Sequence, residues 1–246
     1  MDHPELFAER ASSFGANAAV YAEHRPDYPL AAIEWVLGGR KSVLDLAAGT
    51  GLLSDGLVRL GCSVTAVEPD PAMRAELARR QPAVTALDGT AESIAAEDGS
   101  FDAVVAGQAF HWFNTPEALT EITRVLRPGG VLGLFWNRDD VTVPWMADLA
   151  EATTTSIGPA LVVNWMLPEH ERLAPAEHTF VPHGQARTIE SFIATIGTHS
   201  QVALAPPAER AALLDDVRAY LRSRPETASG DFIRPLSTVA VRAVRL

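Results

Sequence analysis

The sequence predicts an α/β fold, a mostly parallel sheet with helices on both faces. Three observations predict it. Short apolar runs alternate with helical stretches, nearly without break, from residue 30 to residue 136. The runs are apolar along their length, as in strands covered on both sides. The first run, residues 42–46, passes through a turn of small residues straight into a helix.

The elements follow in order. Phe7, Phe14, Tyr21 and Tyr28 recur every seven residues, and residues 7–21 read as one amphipathic helix broken near Gly15. HRPDYP comes next, two prolines stiffening a loop that carries Arg25 and Tyr28 and is suited to close over a pocket. Residues 30–37 are a helix ended by Gly38 and Gly39. Strand one is 42–46, and its helix, 52–60, ends at Gly61. Strand two covers 63–67 and finishes at Glu68; the helix at 69–80 has Pro71 in its first turn. Strand three is 84–88, residues 92–98 are a loop or ragged helix, and strand four is 101–106. The helix at 115–126 carries Leu119, Ile122, Val125 and Leu126 on one side. Pro128, Gly129 and Gly130 turn the chain into strand five, 131–136.

The rhythm changes after Asn137. A helix at 145–157 precedes a mixed stretch at 159–175, and residues 180–181 read as a sixth strand. Helices at 188–196 and 207–222, a turn-rich loop at 227–230 and a strand at 237–244 complete the chain. Four segments are expected: an N-terminal helix and lid at 1–30, a binding core at 31–138, a helical insertion forming part of a pocket at 139–175, and a completion of the sheet with a helical roof at 176–246.

The 246 residues suit one large domain with an insertion, and 47% apolar content supports a sizeable core. A formal net charge of −11 argues against a non-specific nucleic-acid partner, which calls for a basic face. The single cysteine, Cys62, excludes an intrachain disulfide and a cysteine metal cluster. The seven histidines lack metal-ligand spacing, so no metal site is expected. The charged start, MDHPELFAER, has no apolar signal core, and no apolar run approaches ~20 residues. A cytoplasmic chain, monomer or homodimer, with no membrane partner is the expectation.

The most informative stretch is KSVLDLAAGTG, residues 41–51. A turn of small residues lets backbone approach a ligand closely. Asp45 lies just ahead of Gly49, Thr50 and Gly51, where an acid repels a pyrophosphate and attracts an ammonium. Glu68 ends strand two, 19 residues after Gly49, where an acid takes the ribose hydroxyls of an adenosine. Asp88, Gly89, Thr90 and Ala91 follow strand three, placed to meet an adenine edge. Together these point to an adenosine joined to an amino acid. A dinucleotide fingerprint fails in part, because Ser54 stands where its third glycine belongs.

On VLDLAAGTG (43–51), VTAVEPDPAM (64–73), DGTAE (88–92), SFDAVVAGQAFHWF (100–113) and RVLRPGGVL (124–132), the chain resembles the class I S-adenosylmethionine-dependent methyltransferases. It is most similar to the small-molecule group called the methyltransferase domain type 11 family. The resemblance covers about residues 14–137 and implies a Rossmann-like, seven-stranded, mostly parallel sheet with an inserted helical cap after strand five. It implies S-adenosyl-L-methionine as donor and S-adenosyl-L-homocysteine as product. Asp45, Gly49 and Gly51 would hold the methionine end; Ala47 stands where the family commonly has glycine and would pack closely on the cofactor. Glu68 would grip the ribose, Pro69 and Met73 would border the adenine, and Thr90 with Gly89 and the Ala91 backbone would read its edge. Gln108 falls near the methionine part, and Tyr21 and Arg25 match the family's N-terminal lid.

Gln108–Trp112 follows strand four at the C-terminal edge of the sheet, where such folds carry chemistry. Methyl transfer needs an aligned nucleophile and excluded water, and a base only where the nucleophile holds a proton tightly. His111 suits three roles, as base, as hydrogen-bond partner of a substrate carboxylate, or as a tie for its loop. Trp112 suits a pocket wall or the mouth of a sulfonium site. Asn137 closes strand five and is placed to orient a substrate oxygen. Tyr28, Trp145 and Trp165, with Phe192 and His199, are candidates for the substrate pocket.

The leading expectation is methyl transfer to a small organic molecule at oxygen, nitrogen or carbon, with carboxylate or hydroxyl favoured. A tRNA, rRNA or protein methyltransferase is the first alternative, and clustering of Arg187, Arg210, Arg218 and Arg222 would favour it. A nicotinamide-dependent oxidoreductase and a non-catalytic cofactor-binding protein are the others.

Overall fold

A computed structural model describes residues 22–157, 166–198, 202 and 205–246. The expected helix at 7–21, with Phe7, Phe14 and Tyr21, lies outside the described residues, as do Trp165 and His199. The chain divides into two compact units. A core unit comprises Asp27–Asn137, Asn164–Val181 and Thr238–Leu246; a companion unit comprises Met1–Pro26, Arg138–Val163 and Pro182–Ser237.

The described helices are α1 (Leu30–Leu37), α2 (Leu52–Arg59), α3 (Pro71–Arg80), α4 (Thr115–Val125), α5 (Pro144–Ile157), α6 (Ile189–Gly197) and α7 (Pro207–Ser223). The strands are β1 (Ser42–Leu46), β2 (Ser63–Val67), β3 (Thr85–Leu87), β4 (Phe101–Gly107), β5 (Leu126–Asp139), β6 (Glu177–Arg187) and β7 (Phe232–Val244). They form one seven-stranded sheet in the order β3-β2-β1-β4-β5-β7-β6. The pairs β2/β3, β1/β2, β1/β4 and β4/β5 are parallel. The fold is the Rossmann-like one the sequence predicts. The chain winds outward from β1 through β2 to β3, then returns to start β4 on the other side of β1. The crevice beyond the β1 and β4 ends is therefore the topological switch point, where ligands bind in open α/β sheets.

Each face of the core sheet is buried, which is why its strands read as continuous apolar runs. Val43, Val64, Ala66, Ala103, Val105, Val131 and Phe135 pack with Ile33 and Val36 of α1, Leu53 and Leu57 of α2, and Leu77 of α3. Alternation puts Leu44, Leu46, Val104, Leu132 and Leu134 on the other face, and all five are buried. Tyr28 anchors the entry to α1. Its ring meets Phe135 edge-on at 5.8 Å. A Cβ at Gly107 would lie 2.5 Å from the Tyr28 hydroxyl, so only glycine admits the ring there.

Residues 92–98 form no helix. Arg124 pins this segment instead, donating to the carbonyls of Ile94 and Ala96 and pairing with Asp98 at 2.8 Å. Beneath it an apolar cleft of about 300 Å³ opens on Leu44, Thr65, Val67, Thr85 and Leu87. Leu44 and its neighbours Thr65 and Val67 lie on the face opposite Tyr28.

The companion unit has its own core. Trp145, Met146 and Leu149 of α5 pack with Phe192, Ile193 and Ile196 of α6, with Leu213, Val217 and Leu221 of α7, and with Phe232 of β7. Arg234, 4% exposed, stacks on Phe192 at 5.0 Å and pairs with Asp139 at 2.7 Å.

Three strands run longer than the sequence suggests. β5 begins at Leu126, so Pro128–Gly130 lies within the strand rather than ahead of it, and its pairing with β4 shifts between Phe101 and Ala103. β6 spans 11 residues where two were expected. It stands at the sheet edge, half-exposed or exposed throughout, and so lacks the apolar run that marks a buried strand. β7 starts at Phe232 rather than at 237.

Candidate active site

The turn after β1 is built by backbone conformations that small residues tolerate. Ala47, Gly49 and Gly51 all have positive φ, at 53°, 57° and 84°. Glycine adopts this region freely, whereas Ala47 carries strain. Nothing lies within 4 Å of where a Gly49 Cβ would stand, so one side of the turn faces open space.

Most of the turn's amides already have partners. The Ala48 amide donates to the Val67 carbonyl at 3.1 Å and the Gly51 amide to the Ala48 carbonyl at 2.9 Å. The Gly49 amide donates to Glu68 Oε2 at 2.8 Å. A loop that cradles phosphate keeps such amides for its ligand. This one does not, which argues against a dinucleotide pyrophosphate.

Asp45, one residue before the end of β1, is fully buried. Ser54, in the first turns of α2, donates its hydroxyl to Asp45 Oδ2 at 2.6 Å. Asp45 Oδ1 is buried and has no partner. Burial, with the charge of Glu68 adding to it, raises the Asp45 carboxyl from 3.8 to about 7, against the lowering effect of the Ser54 bond. The Thr50 hydroxyl, 1% exposed, is a second buried polar atom without a partner. Unpartnered buried acceptors are costly, and beside a strained turn they mark a place kept for a ligand.

Glu68, 7% exposed, sits at the end of β2, the neighbour of β1. Its Oε1 accepts from the Asp70 amide at 2.9 Å and its Oε2 from the Gly49 amide. Two fixed amides hold the carboxylate in one orientation and leave acceptor capacity for hydroxyl donors. Burial raises its pKa, and the two amide bonds oppose that. Asp70 caps α3 by accepting from the Ala72 and Met73 amides. Pro69 and Met73 follow on from Glu68, and Met73 is buried. Gly89 and Thr90 lie past β3, Thr90 bridges to Ser93, and Ala91 is buried.

Just beyond β4 stands the second non-glycine residue with a positive φ among the described residues. Gln108 has a φ of 55°. Its amide donates to the Phe135 carbonyl at 2.8 Å and its Nε2 to the Asn137 carbonyl at 2.9 Å, tying the ends of β4 and β5 together. Asn137, the candidate for orienting a substrate oxygen, already uses its side-chain amide. Nδ2 donates to the Asp27 carbonyl at 2.9 Å, and Oδ1 accepts from the Thr238 hydroxyl at 2.5 Å. This geometry suits Asn137 to holding the crevice together.

His111 lies on a short 3-10 turn, Phe110–Trp112, its ring 4.7 Å from that of Trp112. Its Nδ1 is buried without a partner, and burial alone lowers its pKa to about 4. The imidazole is therefore neutral across the physiological range.

The remaining candidates fall elsewhere. Tyr28 is buried under Gly107 and Phe135 in the core unit. Trp145 is buried in the companion core, where its carbonyl accepts from the Tyr220 hydroxyl at 2.7 Å. Arg25, in the companion unit, donates to the Thr198 carbonyl at 3.1 Å. Arg218 and Arg222 both pair with Glu190, a surface ion-pair group rather than a free basic patch. Among the described residues no cluster of three or more His, Cys, Asp or Glu can hold a metal, and no helix is long and apolar enough to cross a membrane. Sequence reasoning gave no role to Ser54 or Thr50, and it placed Trp136, with Asn137, at the functional edge without assigning it one. Ser54 was visible only as an absent glycine; its place in the first turns of the helix opposite Asp45 was the available signal.

Residues 44–134 match the family model described as a methyltransferase domain. An uncharacterised methyltransferase of Mycobacterium tuberculosis is 38% identical over 239 residues, covering 94% of this chain and 95% of its own. A demethylmenaquinone methyltransferase of Beutenbergia cavernae is 39% identical over 112 residues, 44% of this chain and 45% of its own. A solved structure described as a type II methyltransferase from Anaeromyxobacter dehalogenans aligns with a TM-score of 0.60 and 27% identity over 90% of this chain and 96% of its own.

Proposed function

We infer the acceptor from one premise: this chain belongs to the class I S-adenosylmethionine-dependent methyltransferases and uses S-adenosylmethionine to methylate a small molecule. The acceptor in this reading is a carboxylate.

The residues of the turn fit the donor. The unpartnered Asp45 Oδ1 and Thr50 hydroxyl suit the ammonium and carboxylate of its methionine part, and the open side of Gly49 admits them. Glu68, held by the Gly49 and Asp70 amides, takes the ribose hydroxyls. Pro69, Met73, Gly89, Thr90 and Ala91 border the adenine. When bound, S-adenosylmethionine supplies a methyl group whose carbon–sulfur bond breaks as the acceptor oxygen bonds to carbon, leaving S-adenosylhomocysteine.

One observation carries the choice of acceptor. His111 is the titratable side chain at the β4 edge, and burial keeps it neutral, with a pKa of about 4. A general base works best with a pKa near the working pH, so His111 is poorly matched to removing a proton from an alcohol or phenol. A carboxylate is already ionised and needs no base. The neutral imidazole then contributes an N–H to orient it. Rate enhancement comes from alignment and exclusion of water.

The test is the alkali lability of the product. The enzyme is incubated with methyl-labelled S-adenosylmethionine and a panel of small carboxylic acids, phenols and amines. A methyl ester releases labelled methanol on mild alkaline treatment; an ether, an N-methyl or a C-methyl product does not. Alkali-stable label as the main product overturns the carboxylate reading. It would favour a second reading, a demethylmenaquinone-like acceptor, which the name of the Beutenbergia relative supports over the matched part of the chain.

A further inference from the structure

Trp136 is the largest fully buried side chain among the described residues, 2% exposed, and it ends the apolar run of β5. Its indole nitrogen is buried and has no hydrogen-bond partner. The indole N–H is a donor only, so an acceptor alone can satisfy it. A buried, unpaired donor calls for an explanation beyond packing. Phenylalanine or leucine would fill a core without that cost.

Its place in the sheet supplies the explanation. Gly107 and Phe135 are the last residues paired between β4 and β5, and Trp136 is the next residue of β5, which runs on to Asp139. The Gln108 amide donates to the Phe135 carbonyl, which holds the start of the Gln108–Trp112 segment against this strand end. Phe135 faces Tyr28, so alternation turns Trp136 to the opposite face. His111, four residues past Gly107, carries another unpartnered buried ring nitrogen. Two ring nitrogens without partners thus follow closely on the last β4–β5 pair, on the edge where open α/β sheets place their chemistry.

We propose that Trp136 is an acceptor-binding residue, its indole N–H and the Nδ1–H tautomer of His111 each donating to one oxygen of the substrate carboxylate. This deepens the carboxylate reading and rests on it. A carboxylate accepts only, through two oxygens, and so matches two donors. The neutral state of His111 leaves it one N–H to give. Entry is past the Phe110–Trp112 turn, where His111 and Trp112 are half-exposed. The two bonds fix which oxygen faces the methyl group and keep the carboxylate plane from turning, a positioning role with no proton transfer.

Indole nitrogen NMR tests this without knowledge of the natural substrate. Protein labelled with 15N-tryptophan and saturated with S-adenosylhomocysteine is titrated with benzoate, and separately with phenol, each to tens of millimolar. Trp136→Phe assigns the Trp136 resonance. Before titration the Trp136 N–H is expected at the upfield end of the indole signals, as for an unbonded donor. Benzoate is expected to move it downfield, and Trp136→Phe to bind benzoate roughly ten- to hundred-fold more weakly, the worth of a hydrogen bond to a charged group. A Trp136 signal already downfield in the starting protein, or one that neither probe moves, overturns the proposal. A shift with phenol and none with benzoate upholds Trp136 as an oxygen-binding residue while overturning the carboxylate reading.

Discussion

Asp45→Asn should make the protein more stable and its cofactor binding worse, and the two effects should follow pH in opposite senses. The folded state raises the Asp45 carboxyl from 3.8 to about 7. Between these values the folded chain holds a proton that the unfolded chain has released. Stability therefore falls as pH rises from about 4 to about 7 and levels off above, the direction that linkage requires for an acid whose folded pKa is raised. The difference of about three units, at about 1.4 kcal/mol each, sets a ceiling of about 4 kcal/mol for the loss. Asparagine has nearly the same shape, can accept from Ser54, and carries no charge at any pH.

Urea unfolding of the ligand-free proteins should give the variant an advantage of about 1.5 kcal/mol at pH 5, one unit into that window, growing to a few kcal/mol at pH 8, within that ceiling. Wild type minus variant isolates Asp45 from the other carboxyls, including Asp102 and Glu121, whose pKa values are lowered by hydrogen bonds and act in the opposite direction. Calorimetry with S-adenosylhomocysteine completes the test. Ionised Asp45 favours the ligand's ammonium, so wild-type affinity should rise from pH 6 to 8 with release of a proton. The variant should bind roughly ten- to hundred-fold more weakly at pH 8. A stability gap that does not change with pH, or a variant that binds as tightly as wild type, refutes the reasoning.

Three further outcomes follow from the geometry. At saturating S-adenosylmethionine, His111→Gln should reduce acceptor methylation about ten-fold while leaving the pH profile flat from 6 to 8; loss of about a hundred-fold or more together with a lost acidic limb would make His111 the base after all. Gly107→Ala places a Cβ 2.5 Å from the Tyr28 hydroxyl and should cost about 1–3 kcal/mol in urea unfolding, since the ring is wedged against Phe135 and has little room to move. Ala47→Gly removes a side chain from a residue at φ 53° and should stabilise the ligand-free protein by up to about 1 kcal/mol with unchanged S-adenosylhomocysteine affinity; a loss of affinity would give the methyl group a packing role that strain alone does not.

The parallel half of the sheet was legible because burial on both faces forces apolar continuity on β1, β2, β4 and the middle of β5. β6 was nearly invisible, since an edge strand with no buried residue leaves no apolar pattern to read. Residues 92–98 were ambiguous by composition, and the interaction that settles them comes from Arg124, far along the chain. Asp45 and Glu68 were legible because strand ends are fixed by the turn that follows. Tyr28 and Trp145, read as pocket residues, are buried within the cores of separate units, because aromatic residues near a loop look alike whether they face a ligand or the interior.

What no reading of residue types supplies is the state of each polar atom. Asp45, Ser54, Asn137 and Trp136 are all visible as letters beside strand ends. Only the fold shows that Ser54 takes one oxygen of Asp45 and leaves the other bare, that Asn137 already has partners for its side-chain amide, and that the Trp136 nitrogen has none. A sequence favours polar residues at the edge of an α/β sheet for several reasons, including capping, tying loops and meeting ligands. The first two satisfy their hydrogen bonds within the protein, and the third leaves them open. The unpartnered atoms of Asp45 and Thr50 after β1, and of His111 and Trp136 just past the last β4–β5 pair, are among the buried polar atoms that the described residues leave open. In the proposed function the donor and the acceptor would complete these four.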